Sequence, residues 1–176
     1  MNRRKFLGRA IAMAPLLLLS SPCSLLARFE ERSLSFYHTH TSKELSLVYF
    51  KNGRHIPSAL TKINNFLKDF RTGETHPIDP TLLDILHDLR QATGSNEFFE
   101  VISGYRSPQT NSMLRGNNGG VASHSLHMSG KAIDIRLPSI KTGRLHRIAK
   151  AFQRGGVGYY PQSDFVHLDT GRVRTW

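Results

Sequence analysis

Apolar and polar residues alternate from Glu44 to Phe50, which predicts a strand. Asn52-Gly53 follows, a pair suited to a tight primed turn because both central residues of that turn need positive φ. A hairpin into a short second strand through His55 and Ile56 is therefore expected. The period then lengthens. Between Pro57 and Phe70, the side chains of Leu60, Ile63, Phe66, Leu67 and Phe70 fall on one helical stripe. Asp79-Pro80 supplies a capping carboxylate and a first-turn proline, and Leu82, Leu83, Leu86 and Leu89 carry a second helix to Gly94. Further along, the pattern predicts strands over Phe98–Ser103 and Lys131–Leu137. It also predicts a short helix from Ser107-Pro108 to about Arg115, a flexible loop over Gly116–Gly120 and a helix over Lys141–Gln153. Two short strands close the chain, near Val157–Tyr160 and Phe165–Thr170. Helices come mostly first and strands mostly last, so the expected fold is α+β: a small antiparallel sheet with flanking helices.

The beginning of the chain stands outside this pattern. Arg28–Lys43 is polar and reads as a loose leader, although Phe36, Tyr37, His38 and His40 are able to pack. Met1–Ala27 carries Arg3, Arg4, Lys5 and Arg9, then an almost uncharged run from Ala10 to Ala27. A basic head before a short apolar run reads as an export signal. Asn2-Arg3-Arg4-Lys5-Phe6-Leu7 resembles the twin-arginine type, which exports folded proteins, and the expected location is the periplasm. Pro15 and Pro22 break the run, which is shorter than the roughly 20 residues that span a bilayer. No stable membrane span is expected once the signal is removed. Residues 44–176 then form a single domain.

Net charge is +11, and removing four positive charges with the signal leaves +7. That suits an acidic polymer as partner. No stripe of Arg and Lys interleaved with aromatics appears, so nucleic acid is not expected. The one cysteine, Cys23, lies inside the signal. The remainder cannot form disulfides, thiolate ligands or a cysteine nucleophile, and a metal would have to be held by His, Asp or Glu.

Two stretches carry candidate chemistry. In Ser125-Leu126-His127-Met128-Ser129-Gly130-Lys131-Ala132-Ile133-Asp134, an Asp stands between two isoleucines in a strand. Strand interiors disfavour Asp, and a buried carboxylate is costly unless paired or metal-bound. Gly130 lets the chain turn so that His127 and Asp134 face one point. The competing reading is a surface histidine and an Asp on an open sheet face. In Asp164-Phe165-Val166-His167-Leu168-Asp169, His167 interrupts an apolar run and shares a strand face with Phe165 and Asp169. His167 would complete a two-His, one-carboxylate set suited to zinc with an open fourth position, although iron or manganese also accept these donors. Taken alone, it reads better as a hydrogen-bonded core histidine.

Taken together, Ser125-x-His127-x-x-Gly130-x-Ala132-x-Asp134 and Asp164-x-x-His167 resemble the zinc D-Ala-D-Ala metallopeptidases, which share a fold with Hedgehog signalling domains. Gly104-Tyr105-Arg106-Ser107 resembles the arginine-bearing segment of that group. From Ile102 to Trp176, including Gly155-Gly156-Val157-Gly158-Tyr159-Tyr160-Pro161 and Asp169-Thr170-Gly171, the chain is similar to the murein endopeptidase branch. The resemblance implies one zinc ion on His127, Asp134 and His167, with Asp164 as general base and Arg106 holding the polarised carbonyl. It further implies murein (peptidoglycan) stem peptides as partner and endopeptidase action on their cross-links, D-Ala to diaminopimelate or between two diaminopimelates. A monomer is expected. Many relatives have His where Phe165 stands, whereas the dipeptidase-like members place an acid three residues before the last ligand, as Asp164 does. The alternatives are a D,D- or L,D-carboxypeptidase with the same site, or a zinc-containing murein-binding module without turnover. His124 reads as a bystander in the cleft. Asp169 and Arg136 either orient a ligand or bind each other, and Trp176 reads as core packing, with a substrate contact as the lesser alternative.

Overall fold

The computed structural model describes residues 30–118 and 121–176. The export segment read at 1–27, and residues 119 and 120 of the glycine-rich loop, lie outside the described residues. Strand β1 (Glu31–His38) pairs antiparallel with β2 (Lys43–Lys51), and β2 with β3 (Arg54–His55) across Asn52-Gly53, both at positive φ. Helix α1 (Pro57–Phe66) follows, then α2 (Pro80–Thr93), β4 (Phe99–Ser103), α3 (Pro108–Asn118) and a single 3-10 turn over Leu126–Ser129. The chain ends with β5 (Ala132–Arg136), α4 (Thr142–Ala151), β6 (Gly156–Tyr160), β7 (Phe165–Asp169) and β8 (Arg174–Thr175).

The α+β expectation holds, but the sheet is larger and more mixed than expected. Eight strands run in the order β3-β2-β1-β4-β5-β7-β6-β8, with β1 parallel to β4 and β6 parallel to β8. The difference comes from two strands that were not expected: Glu31–His38, within the segment that reads as a loose leader, forms β1, and Arg174–Thr175 forms β8. Leu34, Phe36 and His38 alternate onto the inner face of β1 and are buried. That burial recruits the β2–β3 hairpin to the sheet.

Helix ends follow local hydrogen bonding. The Asp79 carboxylate accepts from Thr81 N–H at 2.9 Å, and Gly94 closes α2 in the left-handed conformation. Helix α1 stops at Phe66, four residues short of the expected end. There the Asp69 carboxylate accepts from the N–H groups of Arg71 (2.9 Å) and Thr72 (3.4 Å), giving the backbone an alternative to the helix. Helix α3 runs on through Gly116 to Asn118, where a loop was expected.

The parity of β5 and β7 sorts their residues onto two faces. Ile133, Ile135, Val166 and Leu168 join the core with Leu82, Leu86, Leu89, Leu145 and Ala149 of the helices. Asp134, His167 and Asp169 are consequently turned to the opposite face.

Candidate metal centre

His127 sits on the 3-10 turn, which Gly130 ends at φ +63°. A Cβ on Gly130 would stand 2.0 Å from the Pro77 carbonyl oxygen, so only glycine lets the chain pass from the turn into β5. Asp134 and His167 are direct cross-strand partners in the β5–β7 ladder. All three side chains are buried. Nε2 of His127 lies 3.2 Å from Nδ1 of His167 and 3.3 Å from Oδ1 of Asp134, and His167 Nδ1 lies 2.9 Å from that oxygen.

The outward nitrogens settle where the ring protons sit. His127 Nδ1 donates to the Gly104 carbonyl at 2.7 Å, and His167 Nε2 donates to Asp169 Oδ2 at 3.0 Å. With both protons outward, two ring lone pairs and a carboxylate oxygen converge, and three acceptors this close need a cation among them. Burial disfavours charge on His167, but Asp134 and Asp169 on either side outweigh it and raise its pKa to about 9. Burial likewise acts to raise the Asp134 pKa, and His127 and His167 reverse this and hold the carboxyl below its usual range. The donor set fits a divalent cation with an open position, as a two-His, one-carboxylate zinc site requires.

Asp169 is the brace behind His167. Its two oxygens accept from both Arg174 Nη atoms (3.0 and 2.6 Å), and its Oδ1 also accepts from the N–H groups of Gly156 (3.0 Å) and Gly171 (2.8 Å). Burial opposes the charge, but these donors hold the carboxyl well below its usual range. It fixes the His167 ring, therefore, and does not bind Arg136, which pairs with Glu100 and with Asp164 at 3.5 Å.

Arg106 stands beside the cluster, its Nη2 3.6 Å from Asp134 Oδ2 and 3.3 Å from Ser103 Oγ, while its buried Nε has no partner. With His127, Asp134 and His167, it lines a cleft of about 560 Å³. Tyr160, Phe165 and Trp176 form an aromatic wall of this cleft: Tyr160 and Phe165 stack at 4.5 Å, and Trp176 Nε1 donates to the Tyr160 hydroxyl at 2.8 Å. Trp176 is 48% exposed, so it lines the cleft and is not the core residue it was expected to be. His124 is an exposed residue of the same cleft.

Asp164 is not brought to the cluster. It stands at φ +50° before β7, its carboxylate accepts from the Thr142 hydroxyl and pairs with Arg136, and it is not among the residues that line the cleft. Sequence reasoning missed Asp69 and Arg174. Asp69 is buried between α1 and α2 and accepts from Ser107 N–H (2.9 Å) and Oγ–H (2.7 Å), fixing the segment that carries Gly104 and Arg106.

The peptidase M15 family model described as peptidoglycan L,D-endopeptidase MepK matches residues 27–176. The chain is 36% identical over 176 residues to the peptidoglycan L,D-endopeptidase MepK of Escherichia coli (strain K12), covering 99% of this chain and 97% of that one. It is 37% identical over 177 residues to the "probable peptidoglycan L,D-endopeptidase MepK" of Haemophilus influenzae, covering 99% and 95%. The three motifs of the sequence thus fall within an end-to-end match, and the chain belongs to the MepK family of M15 peptidases.

Proposed function

We propose that this chain is a zinc-dependent murein endopeptidase that hydrolyses peptide cross-links between stem peptides. The convergence of His127 Nε2, Asp134 Oδ1 and His167 Nδ1 beside Arg106, in a cleft of about 560 Å³, carries the reading. Its relatives are named L,D-endopeptidases. A diaminopimelate–diaminopimelate bond joins an L-centre to a D-centre, whereas D-Ala–diaminopimelate joins two D-centres. The former is accordingly the favoured scissile bond.

When bound, zinc supplies Lewis acidity, polarising a carbonyl and making water a nucleophile near neutral pH. The remaining work falls to the side chains. His127, Asp134 and His167 hold the ion, and Asp169 keeps the His167 ring in one orientation. Arg106 is fixed beside the cluster by Ser103 and Asp134. It binds the scissile carbonyl and the negative charge that develops there, an effect worth roughly 3–4 kcal/mol per donor in other enzymes. Asp164 is our choice of general base, taking the proton from water and passing it to the leaving amine. That role requires its carboxylate to rotate off Thr142. The aromatic wall shields the cleft from bulk water and packs on the aliphatic part of the stem peptide.

Murein lies outside the cytoplasm, and the reading includes export to the periplasm by the segment 1–27, with the twin-arginine route as its proposed path. Among the described residues, no helix is long and apolar enough to cross a membrane.

The test is chromatography of purified murein after digestion by the zinc-loaded chain, the chelated chain and His127→Ala, with zinc content measured in each. The expected result is conversion of cross-linked dimers to monomers by the zinc-loaded chain alone, with zinc lost from the variant. Release of terminal residues only would assign a carboxypeptidase, and zinc retention without any product would assign a binding module.

A further inference from the structure

A second cavity, of about 510 Å³, lies where the β1–β2 end of the sheet meets α1 and the loop after it. It shares no residue with the metal cleft, and β4 separates its strands from β5. Lys43, Lys62 and Lys68 line it, from a strand, a helix and a loop, together with His38, Phe66 and Phe70. Among the described residues, none of these three lysines lies within ion-pair distance of an acid, whereas Lys51 on the same hairpin pairs with Glu31 at 2.8 Å. Three unneutralised ammonium groups around one concavity attract an anion.

His38 supplies an independent observation. Its ring is 1% exposed, set edge-on to Phe66 and Phe70 with centroids 6.0 and 5.5 Å away. Its Nδ1 accepts from the His40 N–H at 3.3 Å, which puts the single proton of the neutral ring on Nε2. Nε2 is buried and has no partner. Burial, reinforced by His40, lowers the His38 pKa and keeps the ring neutral, so the orphan is a donor seeking an acceptor. A buried donor without a partner is destabilising, and an acceptor entering beside the ring would relieve it.

We propose that this cavity is a second docking site for murein, holding a carboxylate of a stem peptide remote from the bond being cut. The lysines supply attraction, Phe66 and Phe70 a surface for the peptide's aliphatic carbons, and His38 a hydrogen bond from Nε2–H, a buried nitrogen that the entering carboxylate must uncover. The apolar walls favour an alkyl carboxylate over a bare phosphate. The proposal rests on the murein reading above. It deepens that reading by giving the enzyme a hold on the polymer that a small cross-linked fragment does not use.

The test compares the zinc-loaded full chain with Lys43→Glu/Lys62→Glu/Lys68→Glu and with the milder triple Lys→Gln variant. Retention on sedimented murein sacculi in the cold is measured beside cleavage of a small soluble cross-linked dimer. The expected result is a loss of retention of about tenfold, equivalent to about 1.4 kcal/mol, in the Glu variant and a smaller loss in the Gln variant. Cleavage of the soluble dimer should stay within about twofold of wild type, because no residue of the metal cleft is touched. Unchanged retention in both variants would overturn the proposal. If the wild type is retained through these lysines but cleaves neither substrate, the docking site stands and the endopeptidase reading fails. A second readout follows the His38 ring resonances during titration with a soluble stem peptide, its methyl-ester form and inorganic phosphate. Displacement by the free-carboxylate peptide alone supports the proposal, and displacement by phosphate but not by the peptide overturns it.

Discussion

The two ends of the sheet treat buried histidines in opposite ways. At the β5–β7 end, every nitrogen of His127 and His167 has a neighbour: a backbone carbonyl, a braced carboxylate, or another member of the cluster. At the β1–β2 end, His38 has one nitrogen engaged and one orphaned beside a lysine-lined cavity. A closed network holds geometry, which suits a metal and a transition state. An open one waits for a ligand. The first end should therefore govern turnover on any substrate, and the second only capture of the polymer.

The largest expected effects come from breaking the turnover end without removing a metal ligand. Arg106→Ala should lower kcat on the soluble dimer by ~10²–10³-fold, the range for losing one oxyanion donor, with zinc content unchanged. Asp164→Asn should lower it by ~10²–10⁴-fold if the carboxylate is the base. Single-turnover rates of both variants separate the two roles. An Asp164→Asn enzyme within a few fold of wild type would retire Asp164 and leave it as the Thr142 and Arg136 partner the structure shows. Asp169→Asn should have a smaller effect, ~10–100-fold in zinc affinity, because it loosens His167 without removing it. Competition with a chromogenic chelator reads this directly, and an unchanged affinity would mean that the strand alone fixes the ring.

The same contrast explains what could be read from the sequence. Asp134 and His167 were legible because each interrupts an apolar strand at a position where parity fixes its face. Asn52-Gly53 and Asp79-Pro80 were legible because their turn and cap chemistry is local. Strand β1 was not, because serines and a histidine dilute the alternation of Leu34 and Phe36, and its burial depends on a parallel partner, β4, more than sixty residues away. The Gly104 carbonyl that orients His127 leaves no trace in residue type. Arg174 and Trp176 gain their roles only because the chain end returns beside β6. The second cavity draws its lysines from three elements with no shared spacing, so no motif announces it.

Asp69 stands where the two ends meet, and it gives the smallest but most discriminating prediction. Lys68 and Phe70, its sequence neighbours, line the second cavity, while its own carboxylate turns inward to Ser107, beside Arg106. Burial works to raise its pKa, and hydrogen bonds from Thr110, Ser107 and Arg71 overcome this and bring it down to about 2. A carboxyl whose pKa falls on folding stabilises the native state above its unfolded value, near 3.9, and loses that contribution as pH falls toward the folded value. The side chain is 2% exposed, and a shift of this size corresponds to about 2 kcal/mol. Asp69→Asn should therefore be less stable than wild type by about 2 kcal/mol at pH 6, with the gap narrowing between pH 4 and pH 2. Urea unfolding of both proteins in the metal-free state, where ligand protonation cannot release a metal, measures it. A gap that does not change with pH would show that Asp69 acts by shape and not by charge. If the charge is what holds Ser107, the variant should also lose part of its kcat with KM for the soluble dimer little changed, since Arg106 would be held less firmly where charge develops.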